Sequence, residues 1–191
     1  MHKLNIGVIL GSTRSGRVSP QVGYWIKKVA DRRGDANYEI VDITDFKLPL
    51  YGEGSEKEPG LRAWSAKIAS LDGFVFIVPE YNHSIPAVLK NALDSAYKEW
   101  NNKAAGIVSY GSTGGARAAK HLRGVLEELK VASVRDHPTL SIFTDFENFT
   151  TFHPAEFHLD KVQSMLNQTV AWSGALKTLR QTALTDDLHD I

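Results

Sequence analysis

The stretch Gly11-Ser12-Thr13-Arg14-Ser15-Gly16-Arg17-Val18-Ser19-Pro20-Gln21 gathers two glycines, four hydroxyls and two guanidinium groups into one turn. A short apolar run precedes it and an amphipathic segment follows, so the turn is expected to join a strand to a helix N-terminus. Unpaired helix N–H groups, the positive end of the helix dipole and the hydroxyls of Ser12, Thr13, Ser15 and Ser19 favour an anion there. Each charge-assisted bond is worth roughly 1.5–3 kcal/mol. Arg14 adds a planar donor fork. Gly11 and Gly16 stand at the Walker A interval, but Arg17 and Val18 occupy the positions that need Lys and Ser or Thr, which argues against nucleoside triphosphate chemistry. The glycine spacing of the dinucleotide fingerprint is also missing, so a terminal monophosphate fits the turn better than a pyrophosphate. The alternative is a polar turn in which Ser or Thr caps the helix.

A second turn, Pro79-Glu80-Tyr81-Asn82-His83-Ser84-Ile85-Pro86, offers an aromatic ring, an amide and backbone N–H groups between two prolines. Such a rigid loop suits a flat ligand with a hydrogen-bonding edge, which Asn82 and the local amides can meet. His83 reads first as a surface or capping residue, and Glu80 is ambiguous. A third turn, Ser109-Tyr110-Gly111-Ser112-Thr113-Gly114-Gly115, lets backbone approach a planar group closely. It departs from the Gly-x-Ser-x-Gly nucleophile elbow, and no Asp and His in the right order complete a hydrolase triad.

These turns need a scaffold, and hydrophobic periodicity supplies one. Leu4–Leu10 is a nearly continuous apolar run, as in a strand buried on both faces. Val22, Trp25, Ile26 and Val29 recur at helical spacing up to Gly34. Tyr38–Ile43 reads as a second strand. Leu61, Trp64, Ile68 and Leu71 mark a helix, and 74–78 a third strand. Leu89, Leu93, Ala96, Tyr97 and Trp100 mark another helix, and Ala104–Tyr110 a fourth strand. Ala119, Leu122, Leu126 and Leu129 give a further helix, and Val131–Ile142, interrupted by Pro138, holds the fifth strand. Val162, Met165, Leu166, Thr169 and Leu176 suggest a closing helix. This alternation predicts one α/β domain over 1–191, a doubly wound three-layer fold whose five-stranded parallel sheet runs 2-1-3-4-5. Ligands then bind at the carboxyl ends of strands one and three, where the first two turns lie.

Composition narrows the function. Basic and acidic residues cancel at 22 each, which disfavours nucleic acid and anionic membrane surfaces as partners. There is no Cys, so thiolate chemistry and Cys-based metal sites are excluded and any redox reaction needs a bound cofactor. The first apolar run is too short for a signal or a membrane span, which makes the cytoplasm the expected compartment.

Together the three turns resemble the NADPH-dependent FMN reductase family, flavodoxin-like proteins that include quinone, azo-dye and chromate reductases. The likeness rests on Gly11-Ser12-Thr13-Arg14 with Gly16-Arg17, and on Pro79-Glu80-Tyr81-Asn82-His83 running into Pro86 and Leu89-Lys90-Asn91-Ala92-Leu93-Asp94. It also rests on Ser109-Tyr110-Gly111 with Gly114-Gly115 and His121-Leu122-Arg123, and covers about Leu4 to Val134. The resemblance implies FMN phosphate on Ser12, Arg14, Ser19 and Gln21, within a loop that also offers Thr13 and Ser15. It implies the flavin ring on Pro79, Glu80, Tyr81, Asn82, Ser109, Tyr110 and Gly111. Hydride would pass from NADPH or NADH to FMN and on to small-molecule electron acceptors: quinones, azo compounds, free flavin or metal ions. Arg17 is assigned to the extra phosphate of NADPH. Family members form homodimers or homotetramers, so Tyr97 and Trp100 have two readings, subunit interface or core. The competing function is a flavodoxin-type electron carrier or flavin-dependent sensor. It ranks second because such carriers tend to be strongly acidic.

The remaining features are read as structural. Phe143, Phe146, Phe149 and Phe152 are expected to cover the core ahead of a flavin pocket or a partner subunit. His153, His158 and Asp160 lack the spacing of a metal site, and no metal is expected. The acidic end, Thr185–Ile191, is expected to fray.

Overall fold

The computed structural model describes residues 3–55 and 57–186. Its parallel sheet is built from β1 (Leu4–Leu10), β2 (Ala36–Asp42), β3 (Gly73–Pro79), β4 (Lys103–Gly111) and the short strands β5 (Val131–Ser133) and β6 (Thr139–Ser141). The order is β2-β1-β3-β4-β5, with β6 also paired to β4, as the predicted 2-1-3-4-5 winding requires. The fifth strand is split. Val131–Ser133 pairs with Lys103–Ala105 and Thr139–Ser141 with Ser109–Gly111. Pro138 has no amide to donate, and its carbonyl instead receives the Ser109 N–H at 3.0 Å as the chain rejoins β4.

The helices are α1 (Ser19–Asp31), α2 (Pro59–Ser70), α3 (Ala87–Asp94), α4 (Ala116–Glu128) and α5 (His158–Asp186). On one face, α2, α3 and α4 pack a core around Trp64, Trp100, Phe74 and Phe76. On the other, α1 and α5 bury Val22, Ile26, Val162, Met165 and Leu166 against β1, β3 and β4. β3 and β4 are buried at every position, which explains the unbroken apolar run of β3, while β4 buries two polar residues, Lys103 and Ser109. Of the end expected to fray, Thr185 and Asp186 still belong to α5, and 187–191 lie outside the described residues.

Three expectations change. The third helix stops at Asp94, and Trp100 sits in the following turn, fully buried, with its Nε1–H on the Leu93 carbonyl at 3.1 Å. Trp100 therefore belongs to the core and is withdrawn from any interface, whereas Tyr97 is exposed. The Phe-rich segment forms a small hairpin, β7 (Phe146–Glu147) with β8 (Thr151–Phe152). Phe146 is buried against Tyr110 and Phe152 meets Trp25, while Phe143 and Phe149 are exposed and pack edge to face on each other.

Trp100 also touches Trp64, Phe74 and Phe76. Replacing Trp100 by Ala should lower unfolding free energy by about 3–5 kcal/mol in urea denaturation, the usual cost of emptying a large aromatic site.

Candidate active site at the carboxyl ends of β1, β3 and β4

The chain leaving β1 stays in register for one more bond, Gly11 N–H to the Ile77 carbonyl at 2.9 Å, which carries the first turn alongside β3. Ser12 is fully buried, and its Oγ lies 2.9 Å from the Tyr81 hydroxyl. Beyond it the turn opens: Thr13 is half-buried, and Arg14 and Ser15 are exposed. Val18, a residue without a capping oxygen, holds the N-cap position of α1, so no side chain caps that helix. The alternative of a self-capped turn is thus not what forms.

Two buried hydroxyls lie at this end of the sheet, Ser19 in the first turn of α1 and Tyr110 near the end of β4. The Ser19 side chain acts on the Tyr110 hydroxyl, but neither oxygen makes a well-formed hydrogen bond among the described residues. Burial pushes the Tyr110 hydroxyl pKa well above its ordinary value and nearby Tyr81 adds to this, while Ser19, Arg14 and Arg17 pull in the opposite direction. Unsatisfied buried hydroxyls are costly unless a ligand or water completes them. A phosphate monoester, rich in acceptor oxygens, fits this donor set.

The second turn is a tight hairpin. Tyr81 and Ser84 exchange backbone bonds of 3.0 and 3.1 Å, with Asn82 and His83 at φ +47° and +72° between them. Positive φ at both central positions is the primed turn of a two-residue hairpin, which Asn tolerates and His seldom occupies. The Arg14 guanidinium lies 5.7 Å from the Tyr81 ring centroid, so the first and second turns meet through an ion–ring contact as well as the Ser12 hydroxyl.

In the third turn Gly115 has no alternative residue. Its φ is +72°, and a Cβ there would stand 2.7–2.9 Å from Tyr110 backbone atoms and the Ser109 side chain. The turn is drawn back over β4, where the Ser109 hydroxyl donates to the Gly114 carbonyl at 2.7 Å.

The fold thus brings Ser12, Thr13, Arg14, Ser15, Ser19, Pro79, Tyr81, Asn82, Tyr110 and Gly111 to one end of the sheet. Four side chains expected to touch a ligand are engaged elsewhere. Arg17 donates to the Ser12 carbonyl at 2.9 Å, the Thr44 hydroxyl at 2.8 Å and Asp42 at 2.5 Å, so it braces the first turn from β2. Gln21 has both ends of its amide on the β7–β8 hairpin, at Thr150 O and Phe152 N. The Ser109 hydroxyl closes its own turn. Glu80 anchors α4, accepting from the Arg117 guanidinium and from the Arg117 and Ala118 amides. Burial alone would raise the Glu80 pKa; Arg117 and the helix amides outweigh it and hold the carboxyl below its usual range. Sequence reasoning missed Arg117, Asp42 and Thr44 as the partners that fix these turns. They lie 25–37 positions from the residues they hold, with no local signal. It also missed the buried His158–Asp145 pair at 2.9 Å, which anchors the start of α5.

A parallel sheet that reverses between β1 and β3, with a hydroxyl-rich turn opening onto α1 at that point, defines the flavodoxin-like class of nucleotide-binding fold. FerB from Paracoccus denitrificans, a flavoenzyme NAD(P)H:(acceptor) oxidoreductase, shares this fold with a TM-score of 0.74 over 90% of this chain and 98% of its own, at 21% identity. The sequence profile of the NADPH-dependent FMN reductases matches residues 4–145, and the chain belongs to that family. An NAD(P)H-dependent FMN reductase of Schizosaccharomyces pombe is 41% identical over 146 residues, spanning 72% of this chain and 73% of the relative. The quinone reductase of Escherichia coli K12 is 34% identical over 134 residues, spanning 65% and 70%.

Because the Glu80 pKa is lowered on folding, its contribution is present above the ordinary carboxylate range and is lost as pH falls through the lowered value. Glu80→Gln should cost roughly 1–3 kcal/mol at neutral pH. The deficit should shrink as pH falls below the carboxylate range, as followed by urea denaturation across a pH series.

Proposed function

We propose that this chain is an FMN-dependent NAD(P)H oxidoreductase that reduces small acceptors, quinones foremost among a range that extends to azo compounds, free flavin and metal ions. Membership of the FMN reductase family supports the cofactor pair, and the relatives named quinone reductase support the acceptor class. The observation that carries the reading is the pair of buried hydroxyls, Ser19 Oγ and Tyr110 Oη, neither of which makes a well-formed hydrogen bond, together with an uncapped helix terminus.

In this reading Ser12, Thr13, Arg14, Ser15 and Ser19 hold the FMN phosphate. Pro79 to Asn82 and Tyr110-Gly111 border the ring, with Glu80 contributing through its backbone. FMN held there would supply hydride-accepting and two-electron donor chemistry between the reduced nicotinamide and the acceptor. The protein supplies orientation and donors. Arg14 brings an exposed positive charge, Tyr81 fixes the ring-side hairpin to the phosphate turn, and Asn82 is exposed at the hairpin tip. Arg17, Gln21 and Ser109 keep the turns in shape. A single crevice that served nicotinamide and acceptor in turn would give ping-pong kinetics.

The chain 1–191 works as one domain in the cytoplasm, and copies assemble as a homodimer or homotetramer. A groove of about 580 Å³ beside α2 and α3, rimmed by exposed Leu50, Tyr51 and Tyr97, supports assembly there.

Anaerobic NADPH should bleach the flavin absorbance of the FMN-loaded protein, and quinone should restore it. A protein that takes up no FMN, or whose flavin stays oxidised, overturns the reading. Arg14→Ala should weaken FMN binding about 10- to 100-fold, measured by quenching of flavin fluorescence, since it removes one charge-assisted phosphate contact.

A further inference from the structure

The hairpin after β3 and the first turns of α4 bring together two imidazoles that no step above uses. His83 and His121 are 38 positions apart, and their ring centroids lie 6.0 Å from each other. Both are exposed. Two imidazoles bound through nitrogen to one ion at about 2.0 Å have centroids roughly 4–6 Å apart, so a small rotation of either ring closes the pair on a metal.

Three features make this more than proximity. His121 Nδ1 lies 3.0 Å from the Ser84 hydroxyl, which orients the ring and leaves Nε2 as its free nitrogen. Metal-binding histidines are commonly fixed in this way through their other nitrogen. His83 has no hydrogen-bond partner among the described residues, and it holds φ +72° in a turn that glycine or asparagine would occupy more easily. The flanking backbone bonds between Tyr81 and Ser84 fix where its side chain leaves the chain. Arg117, one turn before His121 on α4, is paired with Glu80.

We infer that His83 and His121 form a surface site for a borderline divalent metal ion, Zn(II) in particular, clasping the β3 hairpin to α4. Two imidazole nitrogens with open positions for water suit Zn(II) and not the hard, oxygen-seeking Mg(II) or Ca(II). The bound ion would cross-link the hairpin that carries Tyr81 to the helix that Glu80 anchors, stiffening one wall of the crevice. Binding requires neither FMN nor turnover, so it stands or falls separately from the proposed activity.

Equilibrium dialysis of the full chain against Zn(II), with thermal unfolding in parallel, tests the site. The wild type should take up a Zn(II) ion that raises Tm, by the linkage of metal binding to folding. The double variant His83→Asn/His121→Gln should lose that ion and the Tm rise while unfolding normally without metal. Asn suits the positive φ of position 83, and both side chains are exposed. Ser84→Ala should weaken Zn(II) uptake about tenfold with the two histidines intact. Equal Zn(II) uptake by the wild type and the double variant overturns the site, as does a wild type that takes up no ion sensitive to these positions.

Discussion

Ser12 Oγ and Tyr81 Oη, 2.9 Å apart and partly sealed from water, join the turn after β1 to the hairpin after β3. Those strands are neighbours in the sheet, and the sequence order of the strands reverses between them. The contact therefore closes the one place where a doubly wound sheet leaves a crevice. Arg17 draws the first turn toward β2, Glu80 draws the second toward α4, and Gly115 lets the third fold back over β4. What is left unanswered at the centre is a small set of donors: Ser19, Tyr110 and the exposed Arg14. The scaffold pairs Arg17 and Glu80 with structural partners and leaves the Arg14 guanidinium exposed.

That division explains what sequence could and could not reveal. Strands buried on both faces announce themselves by composition alone, and Leu4–Leu10 matches β1 end to end. The three turns were legible because glycine, proline and clustered hydroxyls mark loop chemistry locally. The partner of each side chain was not. Asp42 lies 25 residues from the Arg17 it holds, and the hairpin that Gln21 holds lies 129 residues downstream, so neither contact leaves a local signal. Glu80 was ambiguous for the same reason, since only the fold brings Arg117 to it. Periodicity carried the third helix past its end because Trp100 packs into the same core as Leu93 from a turn.

The histidine pair belongs to the same category. Spacing in the chain directed attention to His153, His158 and Asp160, yet His158 is engaged by Asp145 in the interior. His83 and His121 become neighbours only when α4 docks beside the hairpin. Chemistry assembled from two distant segments is invisible to any local pattern and follows directly from the packing of the sheet's upper edge.

The central claim is that the uncapped end of α1 and its attendant hydroxyls grip a phosphate. Comparing the affinities of the apoprotein for FMN and for riboflavin, which differ only in that group, tests it most directly. The account predicts that FMN binds about 100-fold or more tightly, the effect of two charge-assisted contacts. Equal affinities would contradict it.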